Sequence, residues 1–226
     1  IAIIAALNKC SEEILRNILP EAVAQFCAIK EPEQQLNIAL SLKDCQPQFL
    51  TEILSEPLIF AVPALLPQPE TTKFFAVIAE YSKEQRQAVL SDVAYDLCSI
   101  VPKEQRSAIL VMLKDTPKST LTLLKNHISQ IEKIIAKTPE SSRVAIIDQL
   151  TKYEPKILEE VLEAPNNFLQ LYKKVPDLEK LDLITSLRNS SSEQRQAIFV
   201  NLEKTLTDPT SPSLSFKTSD STASST

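Results

Sequence analysis

The chain has 226 residues, 43% of them apolar, with 15 prolines, no glycine, one histidine and a formal net charge of −5. That apolar share supports a continuous core, while the acidic balance opposes a duplex nucleic-acid binder, which presents a basic surface. Without glycine there is no residue for the tight or left-handed backbone of P-loops, dinucleotide fingerprints or nucleophile elbows, which are excluded in their standard forms, and type I′ hairpins and with them a β-rich fold are disfavoured.

The apolar start, Ile1 to Leu7, is too short to span a membrane and lacks the basic flank of a signal peptide. A chain beginning without Met is expected to be a fragment of a longer protein. A step of 37 residues then sets in: Pro20 to Pro57, and Pro32 to Pro69. Ile38, Ala39 and Leu42 form one helical face, at i, i+1, i+4. Pro47 to Pro57 predicts a second helix, with Leu50, Ile53 and Leu54 inward. Pro63 is expected to break the third. Phe74 to Ile78 supply another inward face. Ser82 with Gln85 reads as a capping box before Glu84-Gln-Arg86.

From Pro102 onward the period is strict. Pro102, Pro139 and Pro176 lie 37 residues apart and each opens a similar segment. The shared apolar positions are Ile109, Leu110 and Leu113; Ile146, Ile147 and Leu150; and Leu183, Ile184 and Leu187. We call this helix A. Helix B starts at the next proline: Pro155 to Pro165 matches Pro47 to Pro57 position for position, and Pro117 to Leu124 is a looser copy. Helix C carries Leu97, Cys98 and Val101, then Ile134, Ile135 and Thr138, then Leu171, Tyr172 and Val175. The prolines are expected at first helical positions, with Thr116 and Thr138 as N-caps and with Lys137, Lys173 and Lys174 near helix ends. Ser191 with Gln194 predicts a second capping box and a last helix over about 192–206. Helices of roughly 8 to 13 residues are too short to survive alone, so packing must hold them. Residues 207–226 are mostly Ser and Thr and read as a flexible tail, with Leu214 and Phe216 its only anchors.

These units predict an all-α fold over 1–206, a right-handed α-solenoid of three-helix repeats of about 37 residues. The pattern resembles α-solenoid repeats of the HEAT and armadillo kind, and its three-helix unit is also similar in length to the Pumilio repeat. The first resemblance implies a protein-binding scaffold, and the second is what brings single-stranded RNA into view. The Ser/Thr-rich end resembles, more weakly, the secretion signals of type IV-translocated bacterial effectors. It implies the bacterial or host cytosol as the place of action.

The chemistry-bearing residues are few. Cys10, Cys27, Cys45 and Cys98 lie in apolar contexts without a C-x-x-C pair and are expected as reduced, half-buried thiols of a cytoplasmic protein. With His127 the sole histidine, read as a turn or capping residue, no metal, cofactor or catalytic group is expected. Glu159, Glu160 and Glu163 read as a solvated acidic face, and Tyr81, Tyr95, Tyr153 and Tyr172 as possible interface anchors, with Tyr172 packed. One polar column stands out. Arg106, Arg143 and Lys180 hold the same place in successive A helices, and Arg86 and Arg195 hold the matching place in related ones. The column serves either to bind an acidic or extended peptide partner through guanidinium forks or to pair with Glu104, Glu140, Glu179 and their neighbours between repeats. The function expected is a non-catalytic protein–protein interaction scaffold. The alternatives are a regulatory or localisation module of a larger enzyme and, last, an RNA-binding repeat domain.

Overall fold

The computed structural model describes residues 23–42, 45–54, 56, 58–163 and 167–207. The apolar start, Cys10, Pro20, Pro57 and the Ser/Thr-rich end lie outside the described residues, as do the side chains of Leu171 and Glu163. Among the described residues there are helices and turns and no strand. No helix among them is long and apolar enough to cross a membrane.

The chain divides into two compact units, Ile1–Ile128 and Ser129–Thr226. In the first, a helix over 23–28 (α1) is followed by α2 (Pro32–Leu42), α3 (Pro47–Leu54), α4 (Ala61–Ala64), α5 (Gln68–Ala79), α6 (Lys83–Val89), α7 (Asp92–Ser99), a 3₁₀ turn (Lys103–Gln105), α8 (Arg106–Lys114) and α9 (Lys118–Asn126). Helix α2 packs on α5, both α6 and α7 pack on α8, and α7 also meets α4 and α9. In the second, α10 (Ile128–Ile135, starting at the boundary) leads to a 3₁₀ turn (Glu140–Ser142), α11 (Arg143–Thr151), α12 (Pro155–Glu163), α13 (Asn167–Lys174), a 3₁₀ turn (Asp177–Glu179), α14 (Lys180–Asn189) and α15 (Ser192–Thr207). Here α11 and α12 pack on α14, and α13 packs on α15. Several of these pairs, α2 with α5 and α11 with α14 among them, join helices about one sequence period apart.

The inward faces read from spacing are the core. All nine helix A positions, from Ile109 to Leu187, are buried, as are Leu50, Ile53 and Leu54 and their counterparts Leu158, Val161 and Leu162. Pro63 acts as expected: α4 is only four residues long. The carbonyls around this break are gathered by side chains. Thr71 Oγ1, fully buried, lies 2.9 Å from the Pro67 carbonyl and 3.2 Å from those of Pro63 and Leu66, and Gln34 Nε2 donates to Leu66 O from α2 at 3.1 Å.

Two local expectations need correction. Pro102, Pro117, Pro139 and Pro176 are not first helical residues. They stand at the N-cap with ψ between 142° and 148°, their φ of −53° to −57° already helical. Three of them accept a 2.9 Å bond from the residue three places on, and so start a 3₁₀ turn before helix A. Thr116 and Thr138 do not cap forward. Each hydroxyl bonds back to the carbonyl four residues earlier, Met112 O at 3.0 Å and Ile134 O at 2.9 Å. By contrast Pro32, Pro47 and Pro155 do open their helices, and both capping boxes form, with Gln85 N to Ser82 Oγ and Gln194 N to Ser191 Oγ at 3.3 Å each.

Helix ends follow from the missing glycine. Among the described residues none has positive φ. Helices close instead through i to i−3 bonds such as Glu80 N to Val77 O, Thr116 N to Leu113 O and Thr138 N to Ile135 O, which satisfy last-turn carbonyls without a left-handed residue. His127 is the C-cap of α9, its N–H donating to Leu123 O at 3.0 Å.

Candidate functional site

The cation column is the natural starting point. The structure turns all five side chains toward the chain itself. The side chains of Arg86, Arg143, Lys180 and Arg195 are between 5 and 21% exposed, and Arg106 is half-buried. Each arginine donates to the carbonyl five residues before it: Arg86 to Tyr81 O at 2.5 Å, Arg106 Nε to Val101 O at 3.4 Å, Arg143 Nε to Thr138 O at 3.3 Å, and Arg195 to Ser190 O. The spacing explains the repetition: an arginine near the start of helix A is one turn past a connecting loop whose carbonyl has no helical partner.

The cations also reach back about one period. Arg106 donates to Leu65 O at 2.6 Å, and Lys180 Nζ to Lys137 O and to Asp177 at 2.6 Å. Arg86 pairs with Glu52 and Arg195 with Glu160 (2.5 Å for the latter). These two pairs are copies of one device. Ser82-Lys-Glu-Gln-Arg-Gln-Ala88 and Ser191-Ser-Glu-Gln-Arg-Gln-Ala197 share every residue but the second, and Glu52 and Glu160 hold the same place in the matching B helices. In both copies the serine hydroxyl meets the glutamate two residues on at 2.9 Å. Glu52 and Glu160 were not among the expected partners; the two pairs span 34 and 35 residues. Of the acids that were, Glu140 lies 3.8 Å from Arg143, and Asp177, a neighbour of Glu179, holds Lys180.

The acidic face on α12 is therefore only partly solvated: Glu160 belongs to a clamp. Its carboxyl is held below the ordinary value of 4.5, chiefly by the Arg195 hydrogen bond and secondarily by Ser192. In the unfolded chain neither neighbour is in place. The clamp's contribution is thus complete above about pH 4.5 and is lost as pH falls through the lower folded value. With Glu160 37% exposed, solvent screening keeps that contribution below about 1 kcal/mol. Thermal melts between about pH 6 and pH 3 are expected to lose slightly more stability in the native chain than in Glu160→Gln. Equal slopes would show that the pair does not contribute.

In the second unit a buried node joins three repeat positions. Thr138 gives its one hydroxyl proton to Ile134 O, so Tyr172 donates the 2.7 Å bond between their oxygens. Tyr172 is fully buried, its hydroxyl pushed up to about 12 by that burial. Lys180 Nζ stands 5.5 Å from the ring centre. Tyr153, expected as a possible interface anchor, is buried too and donates to Ile184 O at 2.5 Å. Cys98 is buried, its thiol raised to about 12 by desolvation against the opposing pull of Arg106, which leaves it protonated and unreactive. Cys45 is buried, whereas Cys27 is exposed rather than half-buried. Among the described residues no three His, Cys, Asp or Glu side chains gather as a metal site.

The first unit also holds a groove of about 290 Å³, between α5, α6 and α8. Its lining is apolar: Leu66, Phe74, Val77, Ile78, Leu110 and Val111, with Tyr81 at one end. Val77 and Val111 are 46 and 58% exposed. The wall positions are tied down by the cations just described, Arg106 through Leu65, next to Leu66, and Arg86 through the Tyr81 carbonyl. Ser107 Oγ, also on the lining, is buried without a hydrogen-bond partner among the described residues. Glu70 and Lys73 rim the groove, and Lys114 Nζ lies 5.0 Å from the centre of the Tyr81 ring. No family model matches the chain, and no curated protein and no solved structure matches it.

Proposed function

We propose that this chain is a non-catalytic helical-repeat scaffold, an α-solenoid of about 37-residue units, that binds another protein. The observation that carries the reading is the groove of the first unit. Two apolar side chains, Val77 and Val111, are exposed there over buried Leu66, Phe74, Ile78 and Leu110, with charged Glu70 and Lys73 also on the lining. Such patches mark protein contacts. At about 290 Å³ the groove has room for two or three side chains of a docked helix rather than for a drug-sized ligand. The solenoid itself is supported by the recurrence of the 3₁₀-to-helix start at Lys103, Glu140 and Asp177, and by packing between helices one period apart within each unit. On this reading Arg86 and Arg106 serve the partner indirectly, by fixing the helices that carry the groove, while Arg143, Lys180 and Arg195 hold helix starts in the second unit.

The test uses the intact chain as bait. Val77→Asp with Val111→Asp places two carboxylates in the groove at exposed sites, so the melting temperature is expected to stay near that of the native chain. A partner held through the groove is expected to lose at least about tenfold in affinity, the equivalent of about 1.4 kcal/mol. Retention of every captured protein by the double variant would remove the groove from the function.

A further inference from the structure

The outer face of α5 carries a stripe of exposed residues, Lys73, Ala76, Val77 and Glu80, spaced i, i+3, i+4 and i+7. Glu80 caps the helix with helical dihedral angles, so the stripe runs unbroken to the helix end. Lys73 and Val77 also line the apolar groove, which makes the stripe one shoulder of it. We propose that a second copy of this chain packs on the stripe, the two α5 helices lying antiparallel about a two-fold axis between Ala76 and Val77. The proposal rests on the reading of this surface as a protein contact and names its occupant.

The stripe is complementary to itself. Lys73 and Glu80 are equally far from its midpoint, about 5 Å each along the helix axis. Reversing one helix about that midpoint sets Lys73 of one copy level with Glu80 of the other. A two-fold contact makes every interaction twice, so a single sequence supplies two opposite-charge pairs. Parallel helices would instead bring lysine to lysine and glutamate to glutamate, so the charges select the orientation. Neither side chain has an ion-pair partner among the described residues. Glu80 also stands at the C-terminal end of α5, where the helix dipole opposes an acid and favours an arriving cation.

The middle of the stripe is apolar. Ala76 ends at Cβ, which lets two helix axes approach to about 8–10 Å. Val77 stands beside the axis and loses its exposed surface to its own counterpart. The adjoining helices widen the apolar area: Leu36 and Leu40 are exposed on α2, which packs on α5, and Val111 is exposed on α8 across the groove. The second unit does not repeat this. One and two periods beyond Val111 its A helices carry Asp148 and Thr185. Exposed ion pairs contribute little affinity, so the apolar area holds the copies together while the Lys–Glu pairs fix register.

Sedimentation velocity of the full chain over a dilution series tests this. The native chain is expected to pass from one to two chain masses as concentration rises. Lys73→Glu alone, or Glu80→Lys alone, sets two like-charge contacts in each dimer and is expected to weaken it at least about tenfold. Lys73→Glu combined with Glu80→Lys exchanges the charges and is expected to restore the dimer to within about threefold of the native one. Both sites are exposed, so melting temperatures are expected to stay near native. A chain that is monomeric at every concentration, a dimer indifferent to both single reversals, or a double variant no stronger than the single ones overturns the proposal. The groove reading fails separately. A monomeric native chain whose captured partner is still lost in the Val77→Asp, Val111→Asp variant overturns the dimer alone. The full rescue pattern, with every captured protein retained by that variant, overturns the groove alone.

Discussion

Ile146→Asp is expected to unfold the unit Ser129–Thr226. Ile146 is fully buried on α11, in the column that packs against α14. Its replacement removes a branched apolar side chain and places a carboxylate where no cation waits. An unpaired charge in such a site is among the few single changes that cost about 5 kcal/mol or more, which is comparable to the whole stability of a small domain. The native chain shows that the residue type is not the difficulty. Asp148, two positions on, is half-exposed and pairs with Lys152 at 2.5 Å. Loss of helical circular dichroism at room temperature, or a melting transition lowered by tens of degrees, is the expected readout. A melt superimposable on the native one would show that helix A is not packed as described.

Tyr172→Ala is expected to cost about 3–5 kcal/mol, in the range of large aromatic truncations. The change empties a fully buried site beside Phe168, whose ring centre lies 5.8 Å away, and removes the donor of Thr138 Oγ1. Tyr172→Phe separates these terms. It keeps the ring under Lys180 and deletes only the hydroxyl, so about 1 kcal/mol is expected. Chemical denaturation of the two variants measures the ratio. If Tyr172→Phe proved as costly as Tyr172→Ala, the hydrogen bond rather than the packing would dominate the node. If both were neutral, the node would not exist in solution.

Most of the core was legible in the sequence because burial and helical spacing are the same information. Ile109, Ile146 and Leu183 recur at a fixed step, and each is fully buried. The capping boxes were legible too, since their partners are three residues apart and cannot be elsewhere. What the sequence hid was of two kinds. Whether a proline stands at the N-cap or one place inside depends on a single ψ, so Pro139 and Pro155 look alike in sequence and differ in the fold. Polar partners more than about 30 residues apart depend on how helices cross, so Arg86–Glu52 and Arg195–Glu160 became visible only when packed. The groove is hidden for the same reason: Val77 and Val111 are brought together by tertiary contact alone.

Among the described residues helices close without a left-handed residue, which has a consequence for the denatured chain. A glycine hinge would leave that state many more conformations to surrender on folding, whereas prolines restrict it in advance; each favourable exchange of this sort is worth about 0.4–1 kcal/mol. With 15 prolines and no glycine, part of this protein's resistance to unfolding resides in the poverty of its disordered alternatives. Alanine scanning of native contacts would not detect that share, but inserting glycine into the connecting turns would.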